Sequence, residues 1–413
     1  MKKRRSYLYL QIVLLLVSCE KYTPEVFANE PGDASAIQVD TTVYVSVDNH
    51  PEYLIVCGAD STNAKSFARF LSSFESVLFA EDTEEEEKEY EFIIGRTGRA
   101  ESNRVSEAIN GFGYMVKAEL NKLIIIGSDE TWTALALYAF EDYCTERGLA
   151  VKDSLLTIPG DLVLKEEYED PQLLSRLIQK GHDVLLNPEF VLSCSGLGNC
   201  TIGQGATSDG EYFYVINKNS NDTQSIIFRF DMSSLKWKGQ SGYFNAGHAN
   251  DLAYNGDKDL IIVAHGQSQG QILTLVRASD LSVISDVTID VGASSVSYNS
   301  ARKLYAFSQG GTTLHFTDDS FHVVGSFKRT PPNGYTTQGM GSDDMYIYFP
   351  MSASKDNVID VYDWEGQYVT TLQLPFSRES ETLFYAAGEY YMNFNHSGSE
   401  LYRINPVLYY TYD

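Results

Sequence analysis

The stretch IIVAHGQSQG, which ends at Gly270, holds a serine in the pattern G-x-S-x-G directly after an apolar run. This pattern is the local signature of the nucleophile elbow of serine hydrolases, in which Ser268 would attack a carbonyl carbon. An elbow requires a helix immediately after the turn, whereas the following QILTLVRASD alternates as a strand does. The sequence therefore indicates that Ser268 is a turn residue.

Three carboxylates offer a second chemistry, cleavage of a glycosidic bond. Asp251, Glu379 and Glu381 lie near the starts of expected strands. Glycosidases use one carboxyl group as a general acid and another as a base or nucleophile. The first expected repeat carries Gln204 where such an enzyme would have an early acid. We therefore expect no catalysis, and keep a glycoside hydrolase or polysaccharide lyase using these three residues as the alternative.

Amides, a histidine and tyrosines in the same expected loops suit the binding of a sugar. Hydroxyl groups of sugars take hydrogen bonds from such side chains, and the apolar faces of pyranoses lie on aromatic rings. QGATSDGEYFYV (204–215) and QGMGSDDMYIYF (338–349) are near-copies, and GHANDLAYN (247–255) has an equivalent position. The predicted ligand-binding residues are Gln204, His248, Asn250, Asp251, Tyr335, Gln338 and Glu381. A structural role, in which Gln204 and Gln338 hold neighbouring repeats together, remains open.

These residues would be positioned by a repeat that fills the second half of the chain. A polar turn followed by a period-two strand recurs, and aligning Tyr212, Leu260, Leu304, Tyr346 and Tyr390 gives spacings of 48, 44, 42 and 44. Four strands in a unit of this length are typical of propeller blades. The last unit lacks its outer strand, so the unassigned strand at 183–193 is expected to complete it and close the ring. The pattern predicts an all-β five-bladed β-propeller over residues 183–413.

A different pattern precedes the propeller. Strands and helices alternate over residues 41–165, which predicts an α/β domain with helices packed on a sheet. Residues 166–182 read as a helical connector. Residues 1–18 combine four basic residues with a short apolar run, which predicts a signal peptide, and residues 19–40 read as a flexible tether. The fold class is thus multi-domain, an α/β domain followed by the propeller.

Three short resemblances add expectations. The segment ending in Val17, Ser18 and Cys19 resembles the lipobox of bacterial lipoproteins, which implies lipidation at Cys19; an ordinary secretory signal is the alternative. EYEFIIGRTGRAESNRV and the GFGYMVKAELNKLIIIG stretch resemble the non-catalytic N-terminal accessory domain of alpha-glucuronidases and beta-N-acetylhexosaminidases. The catalytic barrel that follows in those enzymes has no counterpart after residue 165.

The motifs QG-x-x-(S)-D and GH-x-N-D-x-x-Y-N resemble the five-bladed propellers of phage receptor-binding proteins, teichoic-acid biosynthesis C-type proteins and helveticin J. Ala249 stands where that group has a glycine. The resemblance implies binding of a cell-envelope glycopolymer.

The composition of the chain disfavours some classes of binding partner. The net charge of −25 disfavours nucleic acid, because phosphate backbones need clustered Lys and Arg. The sequence contains no C-x-x-C or H-E-x-x-H and suggests no metal or cofactor. Cys194 and Cys200 could close a small loop or remain buried thiols.

We therefore expect an extracytoplasmic protein of the cell surface or periplasm, lipid-anchored to a bacterial membrane. It would bind a polysaccharide or glycoconjugate through the channel face, without catalysis. A protein–protein scaffold using a propeller face is the second alternative.

Overall fold

The computed structural model describes residues 40–44, 46–47, 50–51, 54–58, 60–72, 78–81, 86–119, 121–147, 155–266 and 270–408. The predicted signal peptide, the lipidation residue Cys19 and the turn residue Ser268 lie outside the described residues. None of the described helices has the length and hydropathy that a membrane-crossing segment requires.

The N-terminal part of the chain contains a mixed sheet with helices. In chain order its elements are β1 (Asp40–Tyr44), β2 (Ser46–Val47), β3 (His50–Pro51), β4 (Leu54–Cys57), α1 (Thr62–Ser72), β5 (Leu78–Glu81), β6 (Glu91–Ile94), α2 (Ala100–Glu107), β7 (Phe112–Glu119), β8 (Lys122–Gly127), α3 (Glu130–Glu146), β9 (Leu155–Pro159) and β10 (Val163–Tyr168). Six strands form one sheet in the order β10-β7-β8-β6-β4-β5, parallel from β8 to β5 and antiparallel at β7 and β10. Two smaller antiparallel pairs join β1 to β9 and β2 to β3.

Helices cover both faces of the six-stranded sheet. Trp132 and Phe140 of α3 are buried in one apolar cluster, and Val105 of α2 belongs to a second cluster. The start of α3 is encoded locally, because the Asp129 side chain accepts a hydrogen bond of 3.0 Å from the backbone N–H of Trp132. Because β4, β6 and β8 are covered on both sides, their residues are buried without alternation and, apart from Glu91 and Lys122 at the starts of β6 and β8, are not charged.

A short helix, α4 (Leu173–Gln179), joins the sheet to the propeller. Leu177 of α4 packs into the core of the N-terminal sheet, whereas Leu174 packs into a propeller core. The Ser175 hydroxyl donates to Asp343 Oδ2 at 2.5 Å. The connector is therefore part of both cores and holds the two parts of the chain together.

The remaining strands form the propeller. In chain order they are β11 (Leu185–Ser193), β12 (Ile202–Ser208), β13 (Tyr212–Lys218), β14 (Ser225–Asp231), β15 (Trp237–Gln240), β16 (Asp251–Asn255), β17 (Leu260–Ala264), β18 (Ile272–Arg277), β19 (Val283–Thr288), β20 (Ser295–Asn299), β21 (Leu304–Gln309), β22 (Thr313–Thr317), β23 (Val323–Lys328), β24 (Thr336–Thr337), β25 (Gly341–Ser342), β26 (Tyr346–Ser352), β27 (Asn357–Asp363), β28 (Tyr368–Leu374), β29 (Glu379–Ala386), β30 (Glu389–Asn395) and β31 (Ser399–Val407).

These strands make five antiparallel sheets, which confirms the predicted five-bladed propeller. Blades one to three are β12–β15, β16–β19 and β20–β23, and blade four is β24–β28 with its inner strand in two pieces. Blade five has the order β11-β31-β30-β29, so the first strand of the propeller, β11, pairs with its last strand, β31. This pairing closes the ring between its first and last segments.

Each junction between neighbouring blades holds its own apolar core. Phe213 and Phe384 pack between blades one and five, and Tyr305 and Val296 pack against blade two. The other three junctions have corresponding clusters. The aromatic residues that recur in the repeat therefore fill the spaces between blades.

The near-copies in blades one and four encode the same turn. Asp209 accepts hydrogen bonds from the backbone of Tyr212 at 2.6 Å and from the Tyr214 hydroxyl at 2.6 Å. Asp343 accepts from the backbone of Tyr346 and from the Tyr348 hydroxyl, both at 2.8 Å. The Asp of each copy thus stabilises the hairpin and fixes a buried tyrosine.

Both cysteines of the CSGLGNC loop are free and buried. Burial raises the pKa of the Cys194 thiol to about 12. Cys200 donates to the carbonyl oxygen of Gln224 at 3.4 Å. The structure therefore shows buried thiols in this loop and no bridge.

Candidate functional site

The carboxylate of Asp251, the first residue of β16, lies where the five inner strands meet. It is fully buried and accepts four hydrogen bonds. Oδ1 accepts from the Leu252 backbone at 2.9 Å and the Thr382 hydroxyl at 2.6 Å. Oδ2 accepts from the backbone of Val296 at 3.1 Å and Met340 at 2.8 Å. One side chain of blade two therefore binds blades three, four and five.

Glycines of the near-copies make room for this carboxylate. A Cβ atom on Gly205 would lie 2.6 Å from Asp251 Oδ1, and a Cβ on Gly339 would lie 3.1 Å from it. Both glycines follow the glutamines of the QG motifs. The motifs that suggested a ligand site therefore have a structural cause, which is close approach to Asp251.

Asp251 was predicted to contact a ligand, and its geometry gives it a structural role. Burial raises its pKa to about 7, and the four donors oppose that shift. A ligand could reach the carboxylate only by displacing these bonds. For the same reason, Asp251 does not fit the role of a third catalytic carboxylate.

Beyond Asp251, toward the face that carries α4, the channel holds a small cavity. Its volume is about 90 Å³, and Thr207, Tyr254, Ser297, Ser342 and Thr382 supply one lining residue from each blade. This volume corresponds to roughly three water molecules. A sugar ring does not fit there, which leaves the opposite side of Asp251 as the candidate site.

That opposite side carries a group of polar residues which we call the channel mouth: Lys218, Asp222, His248, Gln338, Glu379 and Glu381. Lys218 Nζ lies 2.6 Å from Asp222 Oδ1, and His248 Nδ1 lies 3.3 Å from Asp222 Oδ2. Burial lowers the pKa of His248, Lys218 lowers it further, and Asp222 and Glu379 act in the opposite direction. The neutral imidazole therefore donates from Nδ1 to Asp222 at pH 7.

Glu379 forms the exposed part of the mouth. Its Oε1 accepts from Gln338 Nε2 at 3.1 Å, and its Oε2 accepts from Asn395 Nδ2 at 2.8 Å. Gln338 lies in blade four, whereas the other two residues lie in blade five. The predicted residue Gln338 therefore has the inter-blade contact that the structural interpretation expected, while its side chain stays partly exposed.

Glu381 lies two residues further along the same strand and is only 3% exposed. Burial raises its pKa well above the ordinary value, and the charges of Glu379 and Asp251 raise it further, against Lys218. Because Lys218 affects the pKa of both Glu381 and His248, the two sides of the mouth share one electrostatic environment.

Three predicted residues lie beside the mouth or away from it. Gln204 is buried and its amide donates to the carbonyl oxygen of Gly203 at 2.6 Å. Asn250 donates to the Ser294 carbonyl at 2.6 Å and so joins blades two and three. Tyr335 is half-buried, and its pKa is raised by burial and by Asp356 of the neighbouring hairpin.

Sequence reasoning missed Lys218, Asp222 and Asn395. The first two lie within NKNSND (217–222), at the hairpin between the second and third strands of blade one. Because strands alternate in direction, such a hairpin rises to the same face as the loops that enter inner strands. That rule would have found Lys218 and Asp222.

Within the described ranges, no group of three or more His, Cys, Asp or Glu side chains is arranged to hold a metal ion.

Comparison with known proteins gives only distant matches. No family model matches the chain, and no curated protein matches it significantly. Similar solved structures include the glutaminyl cyclase of Myxococcus xanthus, with 12% identity, a TM-score of 0.42, and coverage of 55% of this chain and 99% of that chain. Another is the β-propeller domain of Cps50 (Swd1) from Myceliophteria thermophila, with 7% identity, a TM-score of 0.34, and coverage of 52% and 99%. At these scores neither likeness carries an argument about function.

Proposed function

We propose that this chain binds a glycan or cell-envelope polysaccharide at the channel mouth, without catalysis. The observation that carries the proposal is the position of Asp251. Its buried carboxylate and the blades bonded to it close the axis beneath the mouth. The polar side chains above this closed axis could present several hydrogen-bonding groups to one side of a polyhydroxylated ligand.

The side chains at the mouth match the needs of sugar hydroxyls. Gln338 and Glu379 are accessible, already oriented by each other, and retain free lone pairs or N–H groups. Tyr243 is 46% exposed, and its hydroxyl accepts from the backbone of Asn199 at 3.3 Å. A fixed, exposed ring of this type suits the apolar face of a pyranose.

The proposal includes the location of the protein. Lipidation at Cys19 would hold it at a bacterial membrane outside the cytoplasm, on the cell surface or in the periplasm. Residues 41–165 would act as an accessory domain of the glycosidase type and orient the propeller through α4. The resemblance of the QG and GH-x-N-D motifs to the phage receptor-binding, teichoic-acid and helveticin J group supports a glycopolymer ligand.

Hydrolysis of a glycosidic bond is the second candidate function. The carboxyl groups of Glu379 and Glu381 differ in their surroundings, as the two carboxyl groups of a catalytic pair must. Burial raises the pKa of Glu381 well above its usual value, which suits a general acid. Glu379 is exposed and accepts two amide hydrogen bonds, so it is accessible as the second carboxyl group of such a pair. Release of reducing ends from a polysaccharide, lost in Glu381→Gln, would favour this candidate over binding alone.

The test of binding is retention of the full chain on a panel of immobilised bacterial and host polysaccharides. Glu379→Ala should lower retention on the bound polysaccharide at least tenfold. Glu365→Ala is the matched control, since it removes an exposed carboxylate of blade four whose partner is Arg302. A blank panel, or equal loss in both variants, contradicts the proposal. Recovery of a stoichiometric protein partner with no polysaccharide retained would favour the scaffold alternative.

A further inference from the structure

The carboxylate of Glu381 differs from every other carboxylate around it. Asp251 accepts four hydrogen bonds, Glu379 accepts two, and Asp222 contacts Lys218 and His248. Glu381 is only 3% exposed, and no side-chain hydrogen bond or ion pair to it occurs among the described residues. Its carboxyl oxygens are not among the fully buried atoms that lack a partner, so they meet the solvent at the mouth. A carboxyl group with so little access to water is poorly hydrated, which indicates that a partner from outside the chain would complete it.

The cations near the mouth are committed elsewhere. Lys218 is buried against Asp222, at 2.6 Å. Arg378, next to Glu379 in the chain, turns away and pairs with Glu400 and the Tyr402 hydroxyl. Burial keeps the pKa of His248 low, so this imidazole adds no charge at pH 7.

The acidic groups at the mouth therefore outnumber the cations. Among the described residues of the mouth, Lys218 is the one cation beside Asp222, Glu379 and Glu381, and it is already paired with Asp222. The group that would balance these acidic residues is a cation with several N–H donors, placed between the carboxyl groups of Glu379 and Glu381.

We infer that the channel mouth takes a protonated primary amine of its glycan, so that the ligand class is a hexosamine polymer with free amino groups. This inference rests on the proposed function. An ammonium group has three donors, enough to bond Glu381 and Glu379 together and leave one for a further acceptor. Charge-assisted bonds in a recess are about twice as strong as neutral ones. Because burial raises the pKa of Glu381, binding of an ammonium group would draw its carboxyl group toward the ionised form and release a proton to the buffer.

Two oligosaccharides that differ only in their amines separate this inference from the proposed function. The full chain is titrated calorimetrically at about pH 6 with the chitosan hexamer, which carries free amines, and with the chitin hexamer, in which they are acetylated. One charge-assisted hydrogen bond contributes about 1.5–3 kcal/mol, so the chitosan hexamer should bind about ten- to a hundredfold more tightly. Glu381→Gln should reduce the preference to about twofold or less, and Glu365→Gln should preserve it.

Proton release adds a readout that a purely structural residue would not change. Titration in two buffers of different ionisation enthalpy should show release of up to one proton for each chitosan bound, and none in Glu381→Gln. A circular dichroism melt of Glu381→Gln checks that the isosteric variant is folded. Equal affinity for the two hexamers, or an undiminished preference in Glu381→Gln, overturns the inference and leaves the proposed function standing. Binding of neither hexamer also overturns it, and the polysaccharide panel then decides the proposed function separately.

Discussion

Replacing Asp251 with alanine should destabilise the whole propeller. The change removes the acceptor of Val296 N–H, Met340 N–H and the Thr382 hydroxyl, which come from three different blades. Each buried donor left without a partner costs about 1–3 kcal/mol. Removing a buried carboxyl group is itself favourable and offsets part of this sum. The expected loss in unfolding free energy at pH 7 is therefore about 3–5 kcal/mol.

Urea unfolding followed by far-UV circular dichroism measures this loss. The matched control is Asp257→Ala, which removes an exposed carboxylate bonded to Lys303 and the Tyr298 hydroxyl. Such a surface pair contributes little to stability, because solvent screens its charges. If Asp251→Ala costs no more than the control, Asp251 is not the group that ties the blades together.

The same residue predicts a pH dependence. Burial raises the pKa of Asp251 in the folded state to about 7, above its ordinary value of 3.8. The folded protein therefore holds this proton more tightly than the unfolded chain, so the contribution of Asp251 to stability falls as pH rises from about 4 to 7. Relative to Asp251→Asn, the wild type should lose up to about 4 kcal/mol over this window. The other buried carboxyl groups are present in both proteins, so their contributions cancel in this comparison. A difference in unfolding free energy between the wild type and Asp251→Asn that stays constant with pH would contradict the raised pKa of Asp251.

Three further predictions concern the rest of the fold. Ser175→Ala should lower the unfolding free energy by about 1–2 kcal/mol, because the hydroxyl that α4 donates to Asp343 is lost; an unchanged thermal melt would contradict this role. Arg329→Met should cost about 3–5 kcal/mol, because it leaves buried Asp360 without the guanidinium 3.0 Å away; a loss below about 1 kcal/mol in urea would show that the pair does not matter. Dithiothreitol should leave the melting temperature unchanged, because the described cysteines are free, and a drop would reveal a bridge.

The blades could be predicted from the sequence because their signals are local. A polar turn before a period-two strand needs only neighbouring residues, as in Asp209 with Tyr214 or Asp343 with Tyr348. Repetition of that unit at intervals of 42 to 48 residues then indicated a propeller and its number of blades.

The role of the near-copies could not be predicted, because its cause is a residue elsewhere in the chain. Gly205 is required by Asp251, and Gly339 is required by Thr382 and the Glu381 backbone as well as by Asp251. These residues are far from the two glycines in sequence and lie beside them only in the folded ring. Ala249 has a φ of +49°, in the region that favours glycine. This backbone conformation was likewise visible only in the structure.

The grouping of charges was predicted only in part. His248 and Asp251 were both predicted from the sequence to bind the ligand. The structure gives them different partners: Asp222 for His248, and the donors of four blades for Asp251. The lysine that completes the first pair, Lys218, had no sequence signal beyond its place beside a hairpin.

Hydrogen–deuterium exchange of the full chain, with and without the polysaccharide that it retains, tests glycan binding at the channel mouth most directly, because it locates the ligand. Glycan binding at the channel mouth predicts slower exchange in the loops that precede the inner strands and in the 219–224 hairpin, with little change elsewhere. Protection confined to the outer strands of the blades, or to residues 54–168, would contradict it.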